Sequence, residues 1–211
     1  MFAYCNNNPV NLCDYNGAFS IAYCDPDCIS PITLSCGKGA GSSKPWRKRI
    51  AVIYDNRFSG YCYGWVMSEG GFSHQANELI GRLSALNDVD ALPYTTMDGF
   101  VKQWNSLSGA YNTVYVVGHG WAGGLSCAGQ SISYEGDEYR FEELQDISAA
   151  LICLYVCNGA TMNGSGRSAA SLIAGLSGSP VLAVQNGKLN FTWDGGFTKL
   201  ENGGNWVIVY P

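Results

Sequence analysis

The segment "NTVYVVGHG", residues 112–120, gives the clearest indication of the fold when it is compared with "ALICLYVCNGA", residues 150–160. Each is an apolar run of strand length that ends in a reactive side chain, His119 or Cys157, followed by small residues. Continuous apolar strands are typical of parallel sheets that are buried on both faces. The two stretches therefore predict two neighbouring inner strands, with one crossover connection across the 38 positions that separate the cysteine from the histidine.

The rest of the chain from residue 49 alternates between strand and helix patterns. Further strands are predicted in "RIAVIYDN", "VDALPYTT" and "SPVLAVQNG", and further strands joined by glycine turns in the tail from Leu189. Helices are predicted in "SHQANELIGRLSAL" with Ser73 as N-cap, in "MDGFVKQWNSL" after Asp98, in "RFEELQDIS", and in "SGRSAASLIAGLSG" ending at Gly178. This alternation predicts an α/β fold with a mostly parallel sheet and helices on both faces.

Composition limits the classes of function. The 211 residues include 46% hydrophobic and 14% charged residues, which is typical of a globular chain. A net charge of −5, with no basic run longer than "KPWRKR", argues against a nucleic-acid surface. No apolar run approaches the roughly 18 residues of a membrane span, and "MFAYCNNNPV" lacks the pattern of a signal peptide.

Residues 1–48 differ in character from residues 49–211 and predict a separate segment. They are rich in Asn, Gly, Ser, Pro and Cys and end in the linker-like "SCGKGAGSSKPW". Five of the nine cysteines lie in the first 36 residues, with one close pair, Cys24 and Cys28. Zinc sites usually need a second pair or nearby histidines, so we expect no metal and no cofactor, although reduced thiols, one disulfide or a metal all remain open.

A histidine and a cysteine at adjacent strand ends suit nucleophilic catalysis by a thiolate. Reacting groups in such sheets gather at the carboxyl ends of the strands. His119 can serve as base and acid for Cys157, and the backbone amides of Gly120 and Cys157 can form an oxyanion hole. Against this, a strand cysteine is often a core residue, as we expect for Cys153.

Two other enzyme classes fit the order of residues less well. An α/β-hydrolase needs a glycine two positions before its nucleophile, where this chain has Tyr155, and a later histidine. No histidine follows Cys157, which also excludes the papain-like order. The second histidine, His74, is expected to cap or pack at the start of a helix.

The histidine strand "VVGHG" and the cysteine strand "LYVCNGA" resemble those of the caspase-like cysteine peptidases, which include caspases, legumains, and clostripain-like and gingipain-like enzymes. The resemblance covers residues 49–211 and implies a three-layer sandwich with a His119–Cys157 dyad. "SHQANELIGRL" is similar to the first helix of legumain-like members. Ser73 stands where those enzymes carry a basic residue, so asparagine specificity is not implied.

The resemblance also indicates a substrate pocket. The tail "SPVLAVQNGKLNFTWDGG" is similar to the caspase strand and loop that build the pocket for the residue before the cut bond. Caspases have arginine after a tryptophan there, whereas this chain has Trp193 and Asp194. An acidic group would favour Lys or Arg in the substrate. Asp194 could equally be a turn residue, and Asp55, at the end of the first predicted strand, is a second acidic candidate.

The amino-terminal stretch "FAYCNNNPVNLCDYNG" resembles the end of an Rhs/YD-repeat core, where the shell of a polymorphic toxin meets its variable toxin domain. The family pattern is proline, four residues, then Asp-Pro-x-Gly, and here Pro9 is followed by Asp14-Tyr15-Asn16-Gly17. The resemblance implies cleavage near Ala18–Phe19, and this chain departs from the pattern in having Tyr15 where the family has proline.

Together, the two resemblances imply a cysteine endopeptidase that acts as the toxin or effector of an Rhs protein. The implied partners are a protein or peptide substrate, the Rhs shell of the parent chain and a cognate immunity protein, and the implied destination is outside the producing cell or inside a target cell. Two alternatives stay open: a protease that processes only itself or one partner, and an inactive caspase-like module that binds a partner.

Overall fold

A computed structural model describes residues 47–57, 61–62, 65–66, 72–134, 139–191, 197–201 and 203–211. Its strands, in chain order, are β1 (Arg49–Asp55), β2 (Tyr61–Cys62), β3 (Trp65–Val66), β4 (Asp88–Tyr94), β5 (Ala110–Val117), β6 (His119–Trp121), β7 (Gly124–Cys127), β8 (Gln130–Ser133), β9 (Tyr139–Arg140), β10 (Ser148–Tyr155), β11 (Val181–Gln185), β12 (Lys188–Phe191), β13 (Phe197–Glu201) and β14 (Asn205–Val209). The helices are α1 (Ser73–Ser84), α2 (Met97–Asn105) and α3 (Ala169–Ser177).

The centre of the fold is a six-stranded sheet with the order β14-β11-β10-β5-β1-β4. All neighbouring pairs are parallel except β11 with β14. The predicted mostly parallel sheet is confirmed, and so is the adjacency of the histidine and cysteine strands, because β5 and β10 pair directly. The predicted strands of the tail are also present, as β12, β13 and β14.

Alternate residues of each inner strand enter two separate cores, one on each face of the sheet. On one face Ile53, Val116 and Leu154 pack with α2 and α3. On the other face Val52 and Val117 pack with α1. The chain is therefore a mixed α/β fold with helices on both faces of the sheet.

Helix ends follow local chemistry, with one correction to the prediction. Helix α3 ends at Gly178, as predicted, in the left-handed conformation that glycine tolerates best (φ 62°). The predicted N-cap Ser73 is wrong: Ser73 is the first helical residue, and Phe72 occupies the cap position without a side-chain hydrogen bond. Helix α2 begins at Met97, and its cap is the Thr96 side chain, which accepts from the N–H of Gly99.

The helix predicted in "RFEELQDIS" is also a correction, since only a single 3-10 turn, Phe141–Glu143, forms there. Side chains of α2 take up the backbone groups that a longer helix would use. Asn105 donates to the carbonyl of Glu143 at 3.0 Å and accepts from the N–H of Gln145 at 2.8 Å. Trp104 donates to the carbonyl of Gln145 at 2.9 Å, so the segment continues as an extended chain into β10.

The structure adds a four-stranded sheet, β6-β7-β8-β9, that the sequence patterns did not predict. It begins at His119, so this histidine is the first residue of the hairpin strand β6 and not the last residue of β5. Within the described part of the chain, no helix has the length and apolar character to cross a membrane. The segment predicted for residues 1–48 lies almost entirely outside the described residues, so its assignment stays a prediction.

Candidate active site

The register of β5 and β10 sets the position of the two candidate catalytic residues. Val117 pairs with Tyr155, so His119 and Cys157 each lie two residues beyond the same rung of the ladder. The N–H of Gly118 donates to the carbonyl of Tyr155 at 3.3 Å, which extends the pairing past the last rung. Since paired strands are about 4.8 Å apart, the backbones of the two residues leave the sheet side by side.

Gly120 is the point of closest approach between the two chain segments. A Cβ atom at this position would lie 2.7 Å from the carbonyl oxygen of Cys157 and 2.7 Å from a methyl carbon of Val156. These distances are below any ordinary contact, so this approach requires glycine. The hairpin that carries His119 therefore packs directly against the turn that carries Cys157.

The turn after β10 is anchored to its neighbours at several points. The N–H of Asn158 donates to the carbonyl of Gly187 at 3.0 Å, and Asn158 itself has a left-handed backbone (φ 54°). The sulfur of Cys157 accepts a hydrogen bond from the N–H of Leu189 at 3.4 Å. Cys157 is partly exposed, whereas Cys153, four residues earlier, is fully buried in the core as predicted.

The imidazole of His119 is partly exposed and packs against Phe72. The ring centroids are 4.8 Å apart at an interplanar angle of 62°, which is an edge-to-face contact. Phe72 is fixed in turn by its N–H, which donates to the carbonyl of Asp55 at 2.7 Å. The end of β1 thus supports the histidine through Phe72.

A buried charged cluster lies at the end of β1. The Asp55 carboxylate is fully buried and binds Arg57 through the backbone N–H at 3.0 Å, Nε at 3.0 Å and Nη2 at 2.7 Å. This hydrogen bonding raises the pKa of Arg57. Burial, with the charge of Asp55 as the second cause, raises the pKa of Tyr94 well above its usual value and that of the Cys127 thiol to about 12.

This cluster bears on the predicted substrate-binding role of Asp55. The guanidinium group of Arg57 already binds the Asp55 carboxylate through two nitrogens, so a substrate cation could bind this carboxylate only if the Arg57 side chain moved away. The other acidic candidate, Asp194, lies outside the described residues. The preference for Lys or Arg before the cut bond therefore stays a prediction.

Tyr94 connects the charged cluster with the histidine segment. A Cβ atom on Gly118 would lie 2.5 Å from the hydroxyl oxygen of Tyr94, so the tyrosine packs against the residue before His119. Sequence reasoning missed Phe72, Arg57, Tyr94 and Cys127 as neighbours of the site. The one available signal was an aspartate at the end of an apolar strand with an arginine two residues later.

The predicted oxyanion-hole residues lie where the hairpin meets the cysteine turn. Gly120 pairs with Leu125 across β6 and β7, and the turn that joins these strands brings Gly123 to φ 93°. Among the residues that the structure describes, no group of three or more His, Cys, Asp or Glu side chains is placed to hold a metal ion. The amino-terminal cysteines lie outside the described ranges, so a metal there stays open.

Comparison with known protein families finds no matching family, and comparison with curated proteins finds no matching sequence.

Proposed function

We propose that residues 49–211 form a cysteine endopeptidase domain of the caspase-like kind, with Cys157 as nucleophile and His119 as general base and acid. The observation that carries the proposal is the shared register of β5 and β10, which brings the Gly118–Gly120 segment beside the turn of Cys157. Both side chains are partly exposed, as a site that admits a substrate requires.

The reaction uses only groups of this chain and water. His119 accepts the thiol proton, and the Cys157 sulfur attacks the peptide carbonyl carbon to form an S–C bond. The C–N bond then breaks as His119 donates its proton to the leaving nitrogen. Water, deprotonated by His119, hydrolyses the thioester, which releases a carboxylic acid and restores the thiol.

The hairpin geometry supports Gly120 as an oxyanion donor. A two-residue turn at residues 122 and 123 joins Trp121 to Gly124, and a hydrogen bond between the first and fourth residues is the common closure of such a turn. Hydrogen-bonded and non-hydrogen-bonded pairs alternate along an antiparallel ladder. The Gly120–Leu125 pair therefore falls on a non-hydrogen-bonded position, which directs the Gly120 N–H away from β7.

The biological setting rests on the sequence. We propose that the domain is the toxin or effector of an Rhs/YD-repeat protein, delivered with its parent chain into a target cell and neutralised there by a cognate immunity protein. The support is the resemblance of the segment around Pro9 and Asp14 to the end of an Rhs core. Binding to the parent shell and cleavage near Ala18–Phe19 belong to the same proposal.

The test compares matched pairs of variants on a fluorogenic peptide library that varies the residue before the cut. Cys157→Ala and His119→Ala should each lose at least about 10²-fold in kcat/KM. The controls are Cys153→Ala, on the same strand but in the core, and His74→Ala, the other histidine, which is exposed at the start of α1. Both controls should keep cleaving.

Three results would redirect the proposal. Cleavage that survives Cys157→Ala excludes the thiol mechanism. No cleavage by the parent chain, combined with rapid labelling of Cys157 by a peptide-like thiol probe, favours a protease dedicated to itself or to one partner. No cleavage and no labelling favours the binding module.

A further inference from the structure

Trp121 is an exposed aromatic residue on the hairpin that begins at His119. Its side chain is 41% exposed, although most large apolar side chains of the described chain are buried. A Cβ atom on Gly124 would lie 2.6 Å from Cζ2 of the indole, so the ring lies across the glycine backbone. The indole is therefore held by the hairpin while much of its surface remains open to solvent.

Alternation along β6 puts Trp121 on the same face as His119. Gly120 and Leu125 are paired, and both face the core, since Leu125 is buried and a Cβ atom on Gly120 would point at Val156. Successive residues of a strand point to opposite faces, so His119 and Trp121 face outward together. Two residues of strand separate their Cα atoms by about 6.6 Å.

A second exposed apolar residue lies on the loop that packs against the turn of this hairpin. A Cβ atom on Gly123 would lie 2.8 Å from the Asn163 side-chain nitrogen. The Asn163 side-chain oxygen accepts from the N–H groups of Ser165 and Arg167, each at 3.1 Å, which fixes the loop. Met162, directly before Asn163, is 63% exposed. Trp121 and Met162 therefore lie on two adjoining segments, the β6–β7 hairpin and the Asn163 loop, each held by its own hydrogen bonds.

The direction of the reaction assigns these residues to one side of the substrate. His119 must reach the leaving nitrogen to protonate it, so the part of the peptide that follows the cut bond lies on the histidine side. We propose that Trp121 forms a subsite for an apolar side chain on the residue directly after the cut bond, and that Met162, on the adjoining loop, contributes to it. The proposal rests on the peptidase function proposed above.

The subsite has the features that such recognition requires. A tryptophan face and a methionine thioether offer apolar, adaptable surface to a leucine, isoleucine, phenylalanine or methionine side chain. Burial of the ligand side chain also removes the exposed indole from water, which stabilises the complex.

The experiment digests a peptide mixture prepared from a proteome and identifies the residues on both sides of every cut by mass spectrometry. Parent enzyme should enrich apolar residues directly after the cut, and Trp121→Ala should reduce this preference about 10-fold. Met162→Ala should reduce it less, and Trp121→Phe should keep most of it. Tyr210→Ala, which removes another exposed aromatic side chain, is the matched control and should change nothing.

Failure of the subsite and failure of the peptidase give different results. Cuts by the parent with no apolar preference after the cut, or a preference unchanged in Trp121→Ala, overturn the subsite and leave the peptidase in place. No cuts by the parent overturn the peptidase for peptide substrates and the subsite with it.

Discussion

Gly120→Ala is the sharpest perturbation of the proposed site, because it adds one methyl group where two chain segments touch. The new Cβ would lie 2.7 Å from the Cys157 carbonyl oxygen, about 0.7 Å inside ordinary contact, which begins near 3.4 Å. Neither neighbour is a flexible chain end, since one is backbone and the other is the β-branched Val156. The hairpin must therefore move away from the cysteine turn. Overpacking of this kind costs about 1–3 kcal/mol in the free energy of unfolding.

The displacement should cost more in catalysis than in stability. A misplacement of about 1 Å between reacting groups can lower a rate about 10²-fold, so kcat/KM should fall by that order. Denaturant unfolding and peptide cleavage measure the two effects separately. Gly164→Ala is the control, because a Cβ there meets nothing within 4 Å, and it should leave both values unchanged. A Gly120→Ala variant with the parent's stability and activity would refute the direct packing of the two segments.

Three further predictions concern the rest of the structure. Arg57→Met leaves a buried carboxylate unpaired and should cost about 3–5 kcal/mol in denaturant unfolding, whereas Lys102→Met, which breaks an exposed pair, should change stability little. Iodoacetamide near pH 8 should label Cys157 and spare Cys127, whose thiol is buried and kept protonated by a pKa of about 12, as peptide mapping would show. Gly175 is exposed within α3, so Gly175→Ala should raise the free energy of unfolding, measured by thermal denaturation, by about 0.5–1 kcal/mol.

Each of these predictions has an opposite result that would contradict it. Equal losses from the arginine and lysine variants would mean that the buried pair contributes no more than a surface pair. Labelling of both cysteines at similar rates would mean that the charged cluster opens to solvent. A Gly175→Ala variant that is less stable than the parent would mean that this face of α3 is covered.

The sequence predicted the central sheet well because its strands carry a simple signal. The second halves of β5 and β10 are apolar and buried, since both faces of the sheet are covered there, and no helix pattern competes over the same length. The adjacency of these strands followed from the single crossover between them. The end of α3 could also be predicted from the sequence, because Gly178 adopts the left-handed conformation at which helices commonly end.

Other features depended on partners distant in sequence, which single-sequence patterns do not contain. The helical pattern of residues 140–148 is overridden by Asn105 and Trp104, which take its backbone groups. The strands of the hairpin at His119 are only three and four residues long, which is too short to show the alternation of polar and apolar residues that predicts a strand. From the sequence, Asp55 is a candidate acidic group for binding a substrate cation. Its burial and its pairing with Arg57 decide whether the carboxylate can do so, and single-sequence patterns contain neither.

The two glycines beside His119 have different causes, and this affects what the "GHG" motif can mean. Gly118 is required by the Tyr94 hydroxyl and Gly120 by the Cys157 carbonyl. Both requirements are steric and would hold in a protein that catalyses nothing. The motif by itself is therefore no evidence for an enzyme. The support for an enzyme comes instead from the two reactive side chains. Cys157 is partly exposed, whereas Cys153 nearby in the sequence is buried. His119 faces outward from the hairpin that packs against the turn of Cys157.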